Sequence, residues 1–137
     1  LTMELDDKDL RIIEALQQDA RAPIKWISQQ TGIKQSTVHQ RMQRLIKEGV
    51  ITKFSISLSP AFSPQTVLLL LGLEKPLPQQ ALEDQRITEA FSISGDFDVF
   101  MKVQVRDLAE FSTFLSEMKN RYPIVSSRSV ICLSSLK

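Results

Sequence analysis

The sequence predicts an α+β protein, an N-terminal winged helix-turn-helix followed by a C-terminal ferredoxin-like βαββαβ unit. Three observations carry that expectation. Over residues 35–49 the apolar residues Val38, Met42, Leu45 and Ile46 recur at i, i+4, i+7 and i+8, the spacing of one helix face, just after the turn residues Thr31 and Gly32. Residues 57–65 hold two prolines and three serines with little periodicity, which reads as a semi-rigid linker. Beyond it, the apolar patterns follow the order strand, helix, strand, strand, helix, strand. The implied division is residues 1–56, a linker over 57–65, and residues 66–137.

In the first half, Asp6 or Asp7 is placed to cap a helix whose first turn is rich in carboxylates, as the helix dipole favours. Leu5, Leu10, Ile12, Ile13, Leu16 and Ala20 form its wide apolar arc. A shorter helix starts at Pro23, carries Ile24 and Ile27 inward, and stops at Thr31-Gly32, where glycine suits a left-handed cap. The third helix follows after only Ile33 and Lys34. Two helices joined by a tight glycine turn make a helix-turn-helix, whose second helix enters the major groove. Val50 to Ile56 reads as a strand, the wing.

At about 100° per residue, the outer face of the third helix carries Ser36, Thr37, Gln40, Gln43, Arg44 and Lys47, flanked by His39 and Arg41. It holds no acidic residue, and its amide, hydroxyl and guanidinium groups are those that bind base edges and phosphates. Gln35, Gln40 and Gln43, with Ser36 and Thr37, suit bases; Arg44 and Lys47 suit phosphates. Lys34 stands at the helix start, where it can reach phosphate. Net charge is only +1, but its distribution is uneven. Residues 34–53 carry five cations against Glu48 alone, and residues 4–19 carry six acids against Lys8 and Arg11. Such segregation favours a focused anion-binding face.

In the second half, residues 66–73 form a continuous apolar stretch, the mark of a strand covered on both faces. A short helix over 79–85, a strand over 87–93, a turn at Gly95-Asp96-Phe97-Asp98 and an alternating strand from Val99 to Val105 follow. Asp107 and Glu110 have the spacing of a capping box. The helix they open places Leu108, Phe111, Leu115 and Met118 on one side, and the last strand runs from Val125 to Leu133. Both helices are expected on one face of the sheet. About 70 residues with the other face bare would be marginal, so this half is expected to dimerise.

The chain resembles the Lrp/AsnC (feast/famine) transcription regulators. The resemblance rests on Leu5-Asp6-Asp7, Asp9, Ile12-Ile13, Leu16-Gln17, Asp19 and Arg21, then Thr31-Gly32-Ile33, Ser36-Thr37-Val38, Arg41-Met42, Arg44-Leu45 and Glu48-Gly49-Val50-Ile51. Pro23 and Trp26 depart from the usual Ser/Thr cap and Glu of the second helix, and Lys34 replaces the usual Ser or Thr before the third. Trp26 reads as a packing or interface residue. The resemblance implies that the second half is a small-molecule-binding oligomerisation (RAM-type) domain, that the chain works as a homodimer or a larger tetrameric or octameric ring, and that its effector is a free amino acid. The family's Gly-Asp/Glu-Tyr/Phe-Asp turn stands here as Gly95-Asp96-Phe97-Asp98.

An amino acid needs a carboxylate for its ammonium group, which Asp96 or Asp98 supplies, and amide or hydroxyl donors for its own carboxylate. Amides near Gly95 and the hydroxyls of Ser126, Ser127 and Ser129 are the candidates. The other reading of these residues is an ordinary hairpin whose Gly and Asp suit positive φ. Both remain open at the level of sequence.

Cys132 stands alone, so there is no internal disulfide or cysteine-based zinc site, and its apolar neighbours suggest a buried thiol. The longest apolar run is far too short to span a bilayer, and the acidic N-terminus lacks a secretory pattern. A soluble cytoplasmic protein is expected, with double-stranded DNA as partner and no cofactor. Two rival functions share the architecture. One is an architectural protein that wraps DNA through phosphates with little sequence preference, against which the amide-rich face argues. The other is a haem-pathway decarboxylase-like enzyme. The only histidine, His39, lies on the DNA-binding helix and the only tyrosine, Tyr122, precedes a proline, so acid-base chemistry finds no partners in the second half.

Overall fold

The computed structural model describes residues 4–59, 61, 62 and 64–137. The expected linker residues Pro60 and Ser63 lie outside the described residues. The chain divides into two compact units at Ser57/Leu58.

The first unit holds three helices: α1 (Asp7–Gln18), α2 (Ile24–Thr31) and α3 (Gln35–Lys47). Asp6 caps α1 in a full capping box. Its side chain accepts from the Asp9 amide, and the Asp9 carboxylate accepts from the Asp6 amide. Gly32 ends α2 with φ of 72°, a conformation that non-glycine residues rarely adopt. Arg11 donates to the Thr31 carbonyl at 2.7 Å, tying α1 to the end of α2. Ile12, Leu16, Ile27, Ile33, Val38 and Leu45 form the core, with Leu5, Ile13, Ile24 and Met42 packed against it. Leu10, expected in the apolar arc, is instead half-exposed.

The expected wing strand is absent among the described residues. Val50 and Ile51 fold back, both amides donating to the Leu45 carbonyl, and pack against the core. Residues 52–57 then continue without strand pairing. Alternation of Phe54, Ile56 and Leu58 has the right period for a strand, but a strand exists only where a second backbone accepts its hydrogen bonds.

In the second unit a four-stranded sheet is ordered β2 (Ile87–Ser92), β3 (Val99–Val105), β1 (Gln65–Leu73), β4 (Ile124–Ile131). Every pairing is antiparallel, with Leu69 opposite both Met101 and Ser129. This is ferredoxin-like order, with the first helix shortened to a 3-10 turn at Gln79–Leu82. Helix α4 (Leu108–Arg121) and that turn cover one face. Val67, Leu69, Leu71, Met101, Val103 and Val105 meet Ala81, Phe111, Phe114 and Met118 there.

Three expectations are corrected. The uniformly apolar β1 is buried on one face only, since Leu68 and Leu70 remain partly exposed. Phe114 takes the core position expected for Leu108, which is half-exposed. Cys132 lies past the end of β4 and is only partly buried, its amide donating to the Thr66 carbonyl. Beside α4, Arg86 bridges Asp84 and Glu117 and lies 5.0 Å from the Phe114 ring centroid, pinning the start of β2 to the helix.

Candidate nucleic-acid interface and ligand turn

Helix α3 turns Val38 and Leu45 into the core, so the residues opposite them face solvent. Lys34, Gln35, Ser36, His39, Gln40, Gln43, Arg44 and Lys47 are exposed, Thr37 is half-buried, and Arg41 is half-buried on the side toward α1. Neither Lys34 nor Ser36 makes a side-chain cap, so no side chain among the described residues caps the first amides of α3. A helix start of this kind, beside Lys34, favours an anion.

The two arginines are engaged within the unit. Arg41 Nη1 lies 2.5 and 2.6 Å from the two Asp6 carboxylate oxygens and 3.0 Å from Asp9 Oδ1. Arg44 Nη2 donates to Asp9 Oδ2 at 3.0 Å. Asp9 is fully buried, at 0% exposure. A carboxylate in that position persists only with charged or hydrogen-bonding partners. Bonding to the Arg41 guanidinium, and then to the Asp9 amide, holds the Asp6 carboxyl well below the usual carboxylate range. Arg41 is correspondingly raised by Asp6 first and Asp9 second. The only signal of this network in the sequence is the charge segregation between residues 4–19 and 34–53, which names no pair.

At the other candidate site the turn residues are brought together with only part of their expected company. Gly95 has φ of 122°. The Asp98 amide donates to the Leu71 carbonyl at 2.9 Å and the Asp98 carboxylate accepts from the Leu73 amide at 2.7 Å. Asp98 thus stitches the turn onto the end of β1, a structural task the sequence did not show. The Asp96 carboxylate is exposed and has no partner among the described residues. Phe97 lies under the Arg128 guanidinium, 5.5 Å from its ring centroid, and Arg128 was not among the residues expected here.

The three serines divide between the faces of the sheet. Ser127 and Ser129 lie opposite Leu71 and Leu69 on the face that α4 covers, whereas Ser126 lies opposite Gly72 on the open face with Arg128. The Ser126 hydroxyl sits where a Gly72 side chain would be, so glycine at 72 is what lets β4 approach. Next to the turn is a cavity of about 410 Å³, lined by apolar residues that include Leu73, Leu77, Leu82 and Val99 and by the polar Glu74, Lys75, Ser92 and Asp98. Among the described residues no group of His, Cys, Asp and Glu could hold a metal ion. No helix among them is long and apolar enough to cross a membrane.

Two known protein families match successive stretches of the chain. Residues 5–52 match the winged helix-turn-helix DNA-binding family, and residues 79–137 match the Lrp/AsnC ligand binding domain. The HTH-type transcriptional regulator FL11 of Pyrococcus furiosus is 30% identical, over 94% of this chain and 89% of its own. The proline dehydrogenase transcriptional activator of Rhizobium radiobacter is 28% identical, over 99% and 94%. The crystal structure of MtbAldR superposes with a TM-score of 0.81 at 25% identity, covering 97% of each chain. A Neisseria meningitidis transcriptional regulator in complex with L-Met superposes at 0.78 with 18% identity, over 98% and 93%. With a helix-turn-helix in its first unit and a ligand-binding domain in its second, the chain belongs to the Lrp/AsnC family of transcriptional regulators.

Proposed function

We propose that this regulator reads DNA sequence through α3 as a dimer or higher oligomer, and that an amino acid bound at the second unit modulates it. The carrying observation is the face of Ser36, Gln40, Gln43 and Lys47, which is exposed and free of acidic residues. Amide side chains match the adenine edge in the major groove, a bidentate pair discriminating by about 1–3 kcal/mol. Such amides at Gln40 and Gln43 favour direct readout over wrapping by phosphate contacts alone.

Two exposed apolar features support self-association. Phe91, Phe100, Leu70 and Val130 share the sheet face that α4 leaves open. Phe54 and Ile56 alternate with polar residues in the stretch after α3. A two-fold dimer would set two α3 helices on half-sites about one turn of DNA apart. For the effector, the apolar part of the cavity lining suits an apolar side chain. Glu74 and Asp98 line the cavity, and the exposed Asp96 carboxylate on the adjoining turn, which no backbone amide engages among the described residues, is the candidate for the ammonium group. The L-Met complex of the Neisseria regulator is consistent with that class.

Selection of bound duplexes from a random pool, with and without amino acids, tests the whole reading. A defined consensus that changes in strength with leucine or methionine is expected; an unselective pool returns the architectural alternative. Gln40→Ala should relax one base position, and Lys47→Ala should weaken all duplexes and lower the salt slope by about 0.9. In calorimetry, Asp96→Asn should lose amino-acid binding. Unchanged binding by that variant would remove Asp96 from the site.

A further inference from the structure

Of the five cations in residues 34–53, Arg41 and Arg44 already have carboxylate partners inside the unit. Their situations differ. The Arg41 side chain is 22% exposed and reaches both Asp6 and Asp9, whereas that of Arg44 is 50% exposed and makes one bond, to Asp9. Arg44 therefore stands at the rim of the reading face, close enough to solvent to compete for a phosphate. To take one, it must leave a carboxylate that has no access to water. The ion pair that breaks is internal to the fold, and the phosphate that replaces it is one that any duplex offers.

We propose that Asp9 is a specificity-setting residue of the DNA-binding surface, which it serves by withholding Arg44 from phosphates. The inference rests on α3 being the helix that meets DNA. Phosphate contacts supply nearly all of a protein's affinity for unrelated duplexes and carry no sequence information. With Arg44 held on Asp9 and Arg41 held on both acids, Lys34, Lys47 and Lys53 are the cations of residues 34–53 left to supply that background attraction. The amides and hydroxyls of Ser36, Gln40 and Gln43 then account for a larger share of binding to the right site. Asp9 touches no DNA in this scheme and acts through Arg44 alone.

The test is a titration of the full chain with its selected duplex and with an unrelated duplex of equal length, repeated across salt concentrations. Arg44→Gln alone should leave both affinities within about twofold and the salt slope unchanged, because Arg44 makes no phosphate contact to lose. Asp9→Asn should release Arg44, steepen the slope by about 0.9 and tighten the unrelated duplex several-fold, narrowing the ratio between the two. The double variant Asp9→Asn/Arg44→Gln should return to the wild-type slope. A double variant that keeps the steep slope would mean that removing a negative charge, and not freeing Arg44, is the cause, and would overturn the proposal.

A drop in slope of about 0.9 from Arg44→Gln alone would also overturn it, since Arg44 would then be a phosphate contact already. That measurement decides even if Asp9→Asn fails to fold, because Arg41 still pairs with Asp9 when Arg44 is replaced. Lys47→Gln separates the role of α3 from the role of Asp9. If it lowers the slope, α3 is on the DNA and the Arg44 result judges Asp9; if neither Lys47→Gln nor Arg44→Gln changes binding, the placement of α3 itself has failed and the Asp9 role fails with it.

Discussion

Phe114 and Leu108 lie on the same helix with opposite fates. Phe114 is fully buried against Met101 and Val103 in the sheet core and supports the Arg86 guanidinium, whereas Leu108 is half-exposed. Phe114→Ala should cost about 3–5 kcal/mol in urea unfolding, and Leu108→Ala only about 0.5 kcal/mol. The periodicity of α4 fits either residue on its inner face, because Phe111, Phe114, Leu115 and Met118 form an arc wide enough to leave Leu108 at the margin. At the same scale, three carboxylates respond to pH. Asp6 is lowered chiefly by Arg41, Asp84 by Arg86, and Glu110 by the Arg106 amide. Each binds its proton less readily folded than unfolded. Their contribution is therefore present above the ordinary carboxylate value of about 4 and is lost as pH falls below it. Thermal melts from pH 7 to pH 3 should show that loss, and Asp6→Asn should make the first unit's share of it smaller.

At the scale of elements, the caps were the most legible feature. Asp107 accepts from the Glu110 amide, and the Glu110 carboxylate returns to the Arg106 amide, so the box spacing in the sequence became a real α4 start. Asp107→Ala should destabilise by about 1 kcal/mol, read as a lower urea midpoint at unchanged m. Helix α2 has no equivalent, since Pro23 makes no side-chain cap. The wing shows the opposite case: residues 50–56 have the composition and alternation of a strand but no pairing backbone among the described residues. Strand propensity describes a segment that suits a pleated surface, and whether such a surface is present is a tertiary matter. The turn at residues 95–98 behaved in a third way. Its sequence allowed Asp96 and Asp98 equally, and the backbone divided them, giving Asp98 to the Leu73 amide and leaving Asp96 exposed.

At the scale of the molecule, each unit has its own core, and each leaves an apolar surface uncovered in the single chain. The open sheet face holds Phe91 and Val130 at 54% and 47% exposure, an apolar surface that a monomer leaves in water. If association covers it, the melting temperature should rise with protein concentration, because a partner that binds only the folded state stabilises by mass action. Phe91→Ser should abolish that dependence and shift the chain to smaller species in sedimentation. A melting temperature independent of concentration over a hundredfold range would argue against burial of this face.

The three helices of the first unit, the strand order of the second and the polar outer face of α3 follow from properties local to the chain. Hydrophobic period, caps and turn glycines act over a few residues, and each of them is written where it works. Which charges cancel was not local. Asp9 and Arg44 are 35 residues apart, and only the packing of α1 against α3 put one oxygen of a buried carboxylate 3.0 Å from that guanidinium. The same holds for Gly72 and Ser126, and for Phe97 and Arg128, which meet because strands far apart in sequence pair or because a turn folds over its neighbour. Electrostatic pairing and close approach depend on distance in space, and that is why the sequence could name the exposed polar face of α3 while tertiary structure alone decided which of its charges are already engaged.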